Sequence, residues 1–191
     1  MIEKISINGN PFVGILGFAT NRYAVFTQSI VGSTTEKLRQ LFDNVFFVDI
    51  SENSLCGVMA TGNSRGILLP YNTGDEREVF KENEIETVVI NSKYNAIGNL
   101  VVMNDKSAIV SPILGKEVAD TIEDILDIET MVSTILSNKL VGTLLFVNNK
   151  GGIVHPDISE EELSLIEDFF SLEIYRTTIC FGTPLVKIGI V

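Results

Sequence analysis

The chain repeats one pattern four times, and this repetition constrains its fold more than any single motif. Each repeat contains a glycine, an apolar stretch, a polar segment that begins six residues after the glycine, and a second apolar stretch. The glycines recur at intervals of just over forty residues, at Gly14, Gly57, Gly98 and Gly142. Self-similarity at this period indicates a repeat architecture in which neighbouring units bury one another's apolar faces.

The polar segments lie between the two apolar stretches of each repeat, at residues 20–23, 63–66, 104–107 and 148–151. Three of them begin with Asn, and all four carry Arg or Lys at the third position. Asn and Gly adopt turn conformations at little cost. We therefore predict a tight turn at each place and call these four stretches the turn segments.

The fourth repeat shows the predicted unit clearly. Residues 141–147 are rich in β-branched and large apolar residues and predict a strand, and residues 152–155 predict the strand that returns after the turn. Candidate caps and three consecutive glutamates then favour the start of a helix, which apolar residues at helical spacing continue to Phe170. A third strand is predicted within residues 172–178.

The other repeats predict the same order of strand, turn, strand, helix and strand. Ser33 and Glu36 have the spacing of a capping box at the start of the first helix. The predicted helices lie near 34–42, 75–81 and 116–126, and the predicted third strands lie at 45–48, 87–90 and 129–132. One such unit cannot bury both of its faces, so the units must stack in a line or close into a ring.

The two ends of the chain predict how a ring would close. Residues 1–8 form a lone strand candidate, and residues 185–191 begin a fifth repeat with Lys187 in the place of the glycine. The N-terminal strand would complete this partial unit and cover its exposed edge. We expect a single α+β domain over residues 1–191. Its complete units lie near 13–53, 54–96, 97–138 and 139–184.

The charge balance limits the classes of partner. Acidic residues outnumber basic ones by 25 to 14, which gives a formal net charge of −11. This balance argues against a broad basic surface for DNA or RNA, although it leaves room for a local basic patch. An acidic body suits a partner that is rich in Lys and Arg.

The remaining composition gives no sign of a metal, a cofactor or a membrane anchor. Cys56, Cys180 and the single histidine lack the spacing of metal ligands. The densest apolar run, at 140–147, is far shorter than the ~20 residues of a membrane helix. The first residues lack the apolar region of a signal peptide. We therefore expect a cytoplasmic protein without DNA, membrane, metal or cofactor binding.

Five stretches of the chain resemble the archaeal and eukaryotic translation initiation factor 6 family. They read Gly-Asn-Ser-Arg-Gly-Ile-Leu-Leu-Pro at 62–70, Asn-Thr-Gly-Asp at 72–75, Asn-Ala-Ile-Gly-Asn-Leu at 95–100, Met-Asn-Asp at 103–105 and Val-Asn-Asn-Lys-Gly-Gly-Ile-Val-His-Pro at 147–156. They stand in the order and at the spacing of the family, and its archaeal branch is the more similar.

The resemblance implies a pentein-type propeller, a ring of five pseudo-symmetric units, here with an incomplete fifth unit. It also implies a factor that binds the large ribosomal subunit, prevents premature joining of the small subunit and takes part in large-subunit biogenesis. The implied partners are basic ribosomal proteins and a nearby ribosomal RNA loop. Such a factor is expected to be a monomer and not an enzyme.

The resemblance and the repeat together select candidate ribosome contacts. Asn99 comes first, because it lies in the Ala-Ile-Gly-Asn motif directly after a repeat glycine. The turn segments would share one rim of a ring, and their candidate contacts are Asn63, Arg65, Asn104, Lys106, Asn148 and Lys150. Asn72 and Asp75 belong to another matching motif. Turn formation and helix capping are the simpler roles for these residues taken singly.

Two other functions stay open on the sequence alone. Other penteins modify guanidine groups, and His155 with Cys180 would be the minimum pair for such chemistry. However, His155 takes a position filled by Leu69 and Ser111 in sister repeats, and Cys180 lies in an apolar stretch. Structural roles are therefore the simpler interpretation of both. The third possibility is a ring that binds a non-ribosomal protein.

Overall fold

A computed structural model describes residues 3–191 and contains four three-stranded sheets. Each sheet belongs to one repeat, and a short helical turn precedes its first strand. The protein is thus a mixed α+β fold built from small sheets. Within residues 3–191, every helix is too short or too polar to cross a bilayer.

All four units have the same element order. Unit one contains α1 (Val13–Leu16), β1 (Gly17–Ala19), β2 (Ala24–Phe26), α2 (Ser33–Leu41) and β3 (Val45–Phe47). Unit two contains α3 (Cys56–Met59), β4 (Thr61–Gly62), β5 (Gly66–Pro70), α4 (Glu76–Lys81) and β6 (Glu86–Ile90). Unit three contains α5 (Ile97–Leu100), β7 (Val101–Met103), β8 (Ser107–Val110), α6 (Lys116–Leu126) and β9 (Glu129–Val132). Unit four contains α7 (Val141–Leu144), β10 (Leu145–Val147), β11 (Gly152–Val154), α8 (Glu160–Phe170) and β12 (Ile174–Arg176), and a 3₁₀ turn follows at Val186–Gly189.

The return strand occupies the centre of every sheet. It pairs antiparallel with the first strand and parallel with the third, so that in unit four Ile153 faces Phe146 on one side and Tyr175 on the other. β2, β5 and β8 are buried along their whole length, which explains their continuous apolar sequences. Within each sheet, the central strand therefore pairs with two strands, whereas each outer strand pairs with one.

The longer helices bury one face each against the sheets. In α8 the buried residues are Leu163, Ile166 and Phe170, at helical spacing. The Ser159 hydroxyl accepts a hydrogen bond from the backbone N–H of Glu162 at 3.1 Å, which confirms a cap predicted there. The Ser159 cap thus sets where this helix begins, and the spacing of its apolar residues sets which face is buried.

The apolar cores lie between units rather than within them. Phe18 and Val25 of unit one share a cluster with Ile67 and Phe80 of unit two. Two further clusters join units two and three and units three and four in the same way. The fourth cluster surrounds Phe26 of unit one and includes residues from both ends of the chain, Ile5 and Val191. No unit could therefore bury its apolar surface alone.

The four one-turn helices and the 3₁₀ turn, which we call the inner turns, contact one another in a closed series. α1 contacts α3, α3 contacts α5, α5 contacts α7, α7 contacts the 3₁₀ turn, and the 3₁₀ turn contacts α1. The repeat glycines permit this approach. A Cβ on Gly57 would overlap the carbonyl oxygen of Gly14, and a Cβ on Gly98 would overlap that of Gly57. The repeated glycine is thus a packing requirement.

The structure corrects three expectations. Residues 141–147 were predicted as one strand, but Val141–Leu144 form a helical turn, because the glycine there packs against the neighbouring inner turn. The capping box at Ser33 does not form, since the helix begins at that residue and Gly32 occupies the cap position. Of the predicted strand 1–8, residues 3–6 have no regular structure, and residues 1–2 lie outside the described part of the chain.

Candidate functional site

The asparagines that open the turn segments bind their own turn and the next unit. The side-chain oxygen of Asn63 accepts hydrogen bonds from the backbone N–H groups of Arg65 and Gly66 at 2.9 and 3.1 Å. Its amide group donates to the carbonyl oxygen of Asn104 at 3.2 Å, and Asn104 donates likewise to that of Asn148 at 3.4 Å. These bonds link the turn segments of successive units.

Their burial differs along the series. Asn63 is 2% exposed and Asn104 5% exposed, whereas Asn148 at the end of the series is exposed. Asn63 and Asn104 are therefore buried, and their side chains form hydrogen bonds within the fold. Of the three candidate asparagines in the turn segments, Asn148 presents the most surface.

The carboxylate of Asp105 links its own turn segment to the other three. It accepts hydrogen bonds from the backbone N–H and the hydroxyl of Ser64 at 2.7 and 2.8 Å, and from the side-chain amides of Asn149 and Asn21. Partial burial disfavours its charged form, but these hydrogen bonds outweigh burial and keep the pKa of Asp105 below its ordinary value. Sequence reasoning missed this role, because only one turn segment has an aspartate here.

The basic residues of the first two turn segments cap helices of the following unit. The guanidinium of Arg22 donates to the carbonyl oxygens of Asn83 and Glu84, just beyond α4. Arg65 donates to the carbonyl oxygens of Leu126 and Asp127 at the end of α6, and pairs with the Asp127 carboxylate at 3.0 Å. A positive charge at this point stabilises the negative end of the helix dipole and its unpaired carbonyl groups.

The corresponding lysines differ from these arginines. Lys106 and Lys150 are exposed, and within residues 3–191 neither forms an ion pair. Their ammonium groups are therefore available to a partner, whereas the Arg65 guanidinium is already engaged by α6.

Asn99 lies on a different part of the molecule from the turn segments. It belongs to α5, half-buried, and β7 separates it from the turn segment at 104–107. The equivalent positions after the repeat glycine are Ile15, Val58, Thr143 and, in the 3₁₀ turn, Ile188. All of them are half-buried. Asn99 is therefore a polar member of a mostly apolar set on the inner turns.

Exposed apolar residues accompany Asn99 at the beginnings of the inner turns. Leu55, Leu140 and Leu185 occupy equivalent cap positions and remain exposed, as does Tyr94 shortly before α5. We call these four residues together with Asn99 the inner-turn face. The repeated leucine was visible in the sequence, but its exposure depended on the helical turn that the strand prediction missed.

Asn72 and Asp75 lie in the loop between β5 and α4, apart from the other candidates. The side-chain oxygen of Asn72 accepts a hydrogen bond from the hydroxyl of Ser51 at 3.3 Å. Asp75 precedes α4, but its side chain makes no capping hydrogen bond. Both residues are exposed.

The structure does not bring His155 and Cys180 together. The Nδ1 atom of His155 accepts a hydrogen bond from the backbone N–H of Asp157 at 3.1 Å. The Cys180 thiol donates to the carbonyl oxygen of Pro11 at 3.4 Å and lines a cavity that His155 does not reach. The arrangement therefore lacks the nucleophile–base contact that covalent catalysis by a Cys–His pair requires.

Lys187 replaces the repeat glycine and points into the interior. Its Nζ donates to the carbonyl oxygen of Gly98 at 2.6 Å, across the series of inner turns. Burial lowers the pKa of Lys187 to about 7. The fifth inner turn thus carries a polar group where the other four have no side chain.

Comparison with known proteins identifies the family to which the chain belongs. A model described as the eIF-6 family matches residues 2–191. The chain belongs to the eIF-6 family. Translation initiation factor 6 of Pyrococcus abyssi is 35% identical over 136 residues, which cover 67% of this chain and 60% of the relative.

Other archaeal relatives carry the same name. Translation initiation factor 6 of Aeropyrum pernix is 35% identical over 140 residues, covering 70% of this chain and 60% of the relative. That of Methanothermobacter thermautotrophicus is 33% identical over 143 residues, covering 74% and 64%. The matching part thus spans about three fifths of the length of these curated relatives.

Among solved structures, a crystal structure of a dimethylarginine dimethylaminohydrolase adduct with S-methyl-L-thiocitrulline is similar. Its TM-score is 0.59 at 12% identity, and the match covers 91% of this chain and 69% of the enzyme. At this identity the likeness concerns the fold alone, which is pentein-like.

Proposed function

We propose that this protein is a ribosome anti-association factor of the translation initiation factor 6 type. It binds the large ribosomal subunit, prevents premature joining of the small subunit and takes part in large-subunit biogenesis. The observation that carries this proposal is the family match over residues 2–191. It acts by occupying space, as a monomer in the cytoplasm, and without enzymatic chemistry.

The shape that we propose for this role is a pentein-type ring of five units, the fifth incomplete. Two observations support it. The inner turns contact one another in a closed series, and one apolar cluster contains residues from both ends of the chain, Ile5 and Val191. A ring closed in this way is stiff enough to exclude the small subunit by steric overlap.

The inner-turn face is the contact surface that we favour. It combines Asn99 with exposed apolar side chains, and exposed aromatic and aliphatic residues around a polar group are typical of protein interfaces. The acidic net charge favours encounter with basic ribosomal proteins. The exposed Lys106, Asn148 and Lys150 form a second candidate surface that suits a ribosomal RNA loop.

Co-sedimentation with purified archaeal large subunits at low salt tests this function. We expect the protein to co-sediment and to lower the yield of joined ribosomes when small subunits are added. Asn99→Ala should weaken binding about tenfold, by loss of a buried interface hydrogen bond. Asn91→Ala, at an exposed loop position outside the inner-turn face, is the matched control and should bind like the wild type.

Two results would contradict parts of this proposal. Absence of co-sedimentation at low salt would exclude the ribosomal function and favour a non-ribosomal partner. Equal binding by Asn99→Ala would instead move the contact away from the inner-turn face, toward the turn segments.

A further inference from the structure

The position of the repeat glycine in the inner turns has one polar exception. Four repeats carry glycine there, and their backbones pack directly against one another. The fifth carries Lys187, which is 8% exposed and donates a hydrogen bond to the carbonyl oxygen of Gly98. Within residues 3–191 this is its only hydrogen bond, whereas a protonated lysine side chain has three N–H donors.

The first strands have a polar exception of their own. The position four residues after the repeat glycine, or after Lys187, is apolar in four of five cases, at Phe18, Val102, Phe146 and Val191. In β4 it is Thr61, which is only 7% exposed. Its hydroxyl forms no hydrogen bond with any of residues 3–191, so a second polar side chain is buried without a partner.

Lys187 and Thr61 line the same cavity, together with residues of the first strands of all four units. Its volume is about 30 Å³, and its other lining residues are apolar or glycine, at 18–19, 62, 101–103, 145–147 and 190–191. We call it the first-strand cavity. This volume exceeds what one water molecule needs, but it is far below that of a pocket for an organic ligand.

The ammonium group of Lys187 has no counterion among residues 3–191. No carboxylate there lies within ion-pair distance of it, and burial is the cause of the lowered pKa of Lys187. No other titratable side chain lines the cavity. The other inner turns contribute only Cys56, whose pKa burial raises to about 12 and whose thiol donates to the carbonyl oxygen of Val48. A small anion beside the ammonium group would offset the cost of burying its charge.

We propose that the first-strand cavity binds one small monovalent anion, such as chloride, through the ammonium group of Lys187 and the hydroxyl of Thr61. Both groups donate hydrogen bonds, and charge-assisted hydrogen bonds are the stronger kind. The apolar walls exclude larger anions by volume. The anion binds the protonated amine, so its binding takes up a proton and is lost when Lys187 becomes neutral.

Urea denaturation at pH 6, in sodium chloride and in sodium gluconate of equal ionic strength, tests the site. Gluconate is too large for the cavity and controls for general effects of salt. Chloride should raise the equilibrium constant for folding with its concentration, by about elevenfold at ten times its Kd. At pH 9, where Lys187 is neutral, this chloride-dependent increase should disappear.

Two pairs of variants separate the site from other effects of salt. Lys187→Met removes the cation and should abolish the chloride-dependent increase, whereas Lys106→Met, at an exposed lysine, should keep it. Thr61→Val removes the hydroxyl at nearly constant volume and should weaken chloride binding several-fold. Thr61→Ser keeps the hydroxyl and should bind chloride like the wild type.

Bromide, which scatters X-rays anomalously, locates the anion in crystals at pH 6. We expect one peak in contact with the Lys187 ammonium group and the Thr61 hydroxyl, and none there in Lys187→Met crystals.

Three results would overturn the proposal. The first is a folding equilibrium that does not respond to chloride at pH 6, and the second is a chloride response that persists in Lys187→Met. The third is a water molecule in the cavity with bromide bound elsewhere as an adventitious ion only.

Discussion

The third unit is packed differently from residues 3–6 and 186–191, which we call the fifth sector. In unit three, β8 lies between β7 and β9, with all four of its residues buried. In the fifth sector, Lys4, Ile5, Ile190 and Val191 line one cavity, and none of these four residues belongs to a strand. The 3₁₀ turn contacts α1 and α7, although none of the described residues after it lies in a strand.

The inner turns show a second difference between these regions. Gly98 in unit three lets α5 approach the Gly57 carbonyl directly, whereas Lys187 places a buried ammonium group at the fifth position. Backbone packing therefore stabilises the first four inner turns, while the fifth must also accommodate a group that burial disfavours. We expect the fifth sector to be the least stable part of the molecule.

The largest expected effect comes from filling the inner turns. Gly57→Val would place a branched side chain against the carbonyl oxygens of Gly14 and Gly17, which are backbone atoms and cannot move aside. We expect the free energy of unfolding to fall by more than about 3 kcal/mol, as measured by urea denaturation. Gly151→Ala would place its Cβ 3.3 Å from the carbonyl oxygen of Glu173, a tight contact that a small shift relieves, and should change the free energy of unfolding by less than about 1 kcal/mol.

Equal destabilisation by both variants would mean that the inner turns are not packed as described. It would also remove the distinction between the repeat glycines and the glycines of the turn segments.

Truncation of apolar side chains compares the two regions directly. Ile109→Ala should lower the free energy of unfolding by about 2–5 kcal/mol, because Ile109 is fully buried in β8. Ile190→Ala should lower it by less than about 1 kcal/mol, because Ile190 is only half-buried and lines a cavity. Chemical denaturation of both variants measures the difference, and similar losses would show that the fifth sector is packed like a complete unit.

Lys187 should make stability depend on pH. Its pKa is about 7 in the folded protein, below the ordinary value of 10.5, so between these values the unfolded chain binds a proton that the folded chain lacks. Stability therefore rises with pH in this range, and the destabilisation is complete below pH 7. Between pH 7 and 8.5 the wild type should gain about 1–2 kcal/mol.

Lys187→Met isolates this contribution. Its free energy of unfolding should stay nearly constant over the same pH range, as measured by urea denaturation at each pH. Parallel pH profiles for the variant and the wild type would show that Lys187 is charged and solvated in the folded protein.

The smallest expected effect concerns the helix cap of Arg65. Arg65→Ala removes its bonds to the end of α6 and should cost about 0.5–1 kcal/mol, a modest value because the side chain is about half exposed. Lys106→Ala, at the same position of the next turn segment, should change stability by less than about 0.3 kcal/mol. Thermal denaturation of the pair would contradict the capping role if both variants lost the same stability.

Much of the architecture was predictable from the sequence. Apolar periodicity and turn residues predicted the third strand at 129–132 and the helix at 116–126 with the bounds that the structure shows. The motifs at 62–70 and 147–156 predicted the family, which the family match confirms. These features were predictable because each depends on residues that are neighbours in the sequence.

The parts that the sequence did not predict depend on contacts between units. The helical turn at Val141–Leu144 forms because Gly142 packs against Gly98, a residue of another unit. The roles of Asp105 and Arg65 likewise require partners that are distant in the chain. No local pattern of residues could show which of these side chains form hydrogen bonds within the fold.

Nuclear Overhauser effects between α1 and the 3₁₀ turn test closure of the chain most directly. A Cβ on Gly14 would overlap the carbonyl oxygen of Lys187 and lie 3.1 Å from the carbonyl carbon of Ile188, so the Gly14 α-protons must lie close to both residues. We predict cross-peaks from the Gly14 α-protons to the backbone protons of Ile188, similar to those between Gly57 and Gly14. Cross-peaks between Gly57 and Gly14, with none between residues 13–16 and 186–190, would contradict a closed series of inner turns.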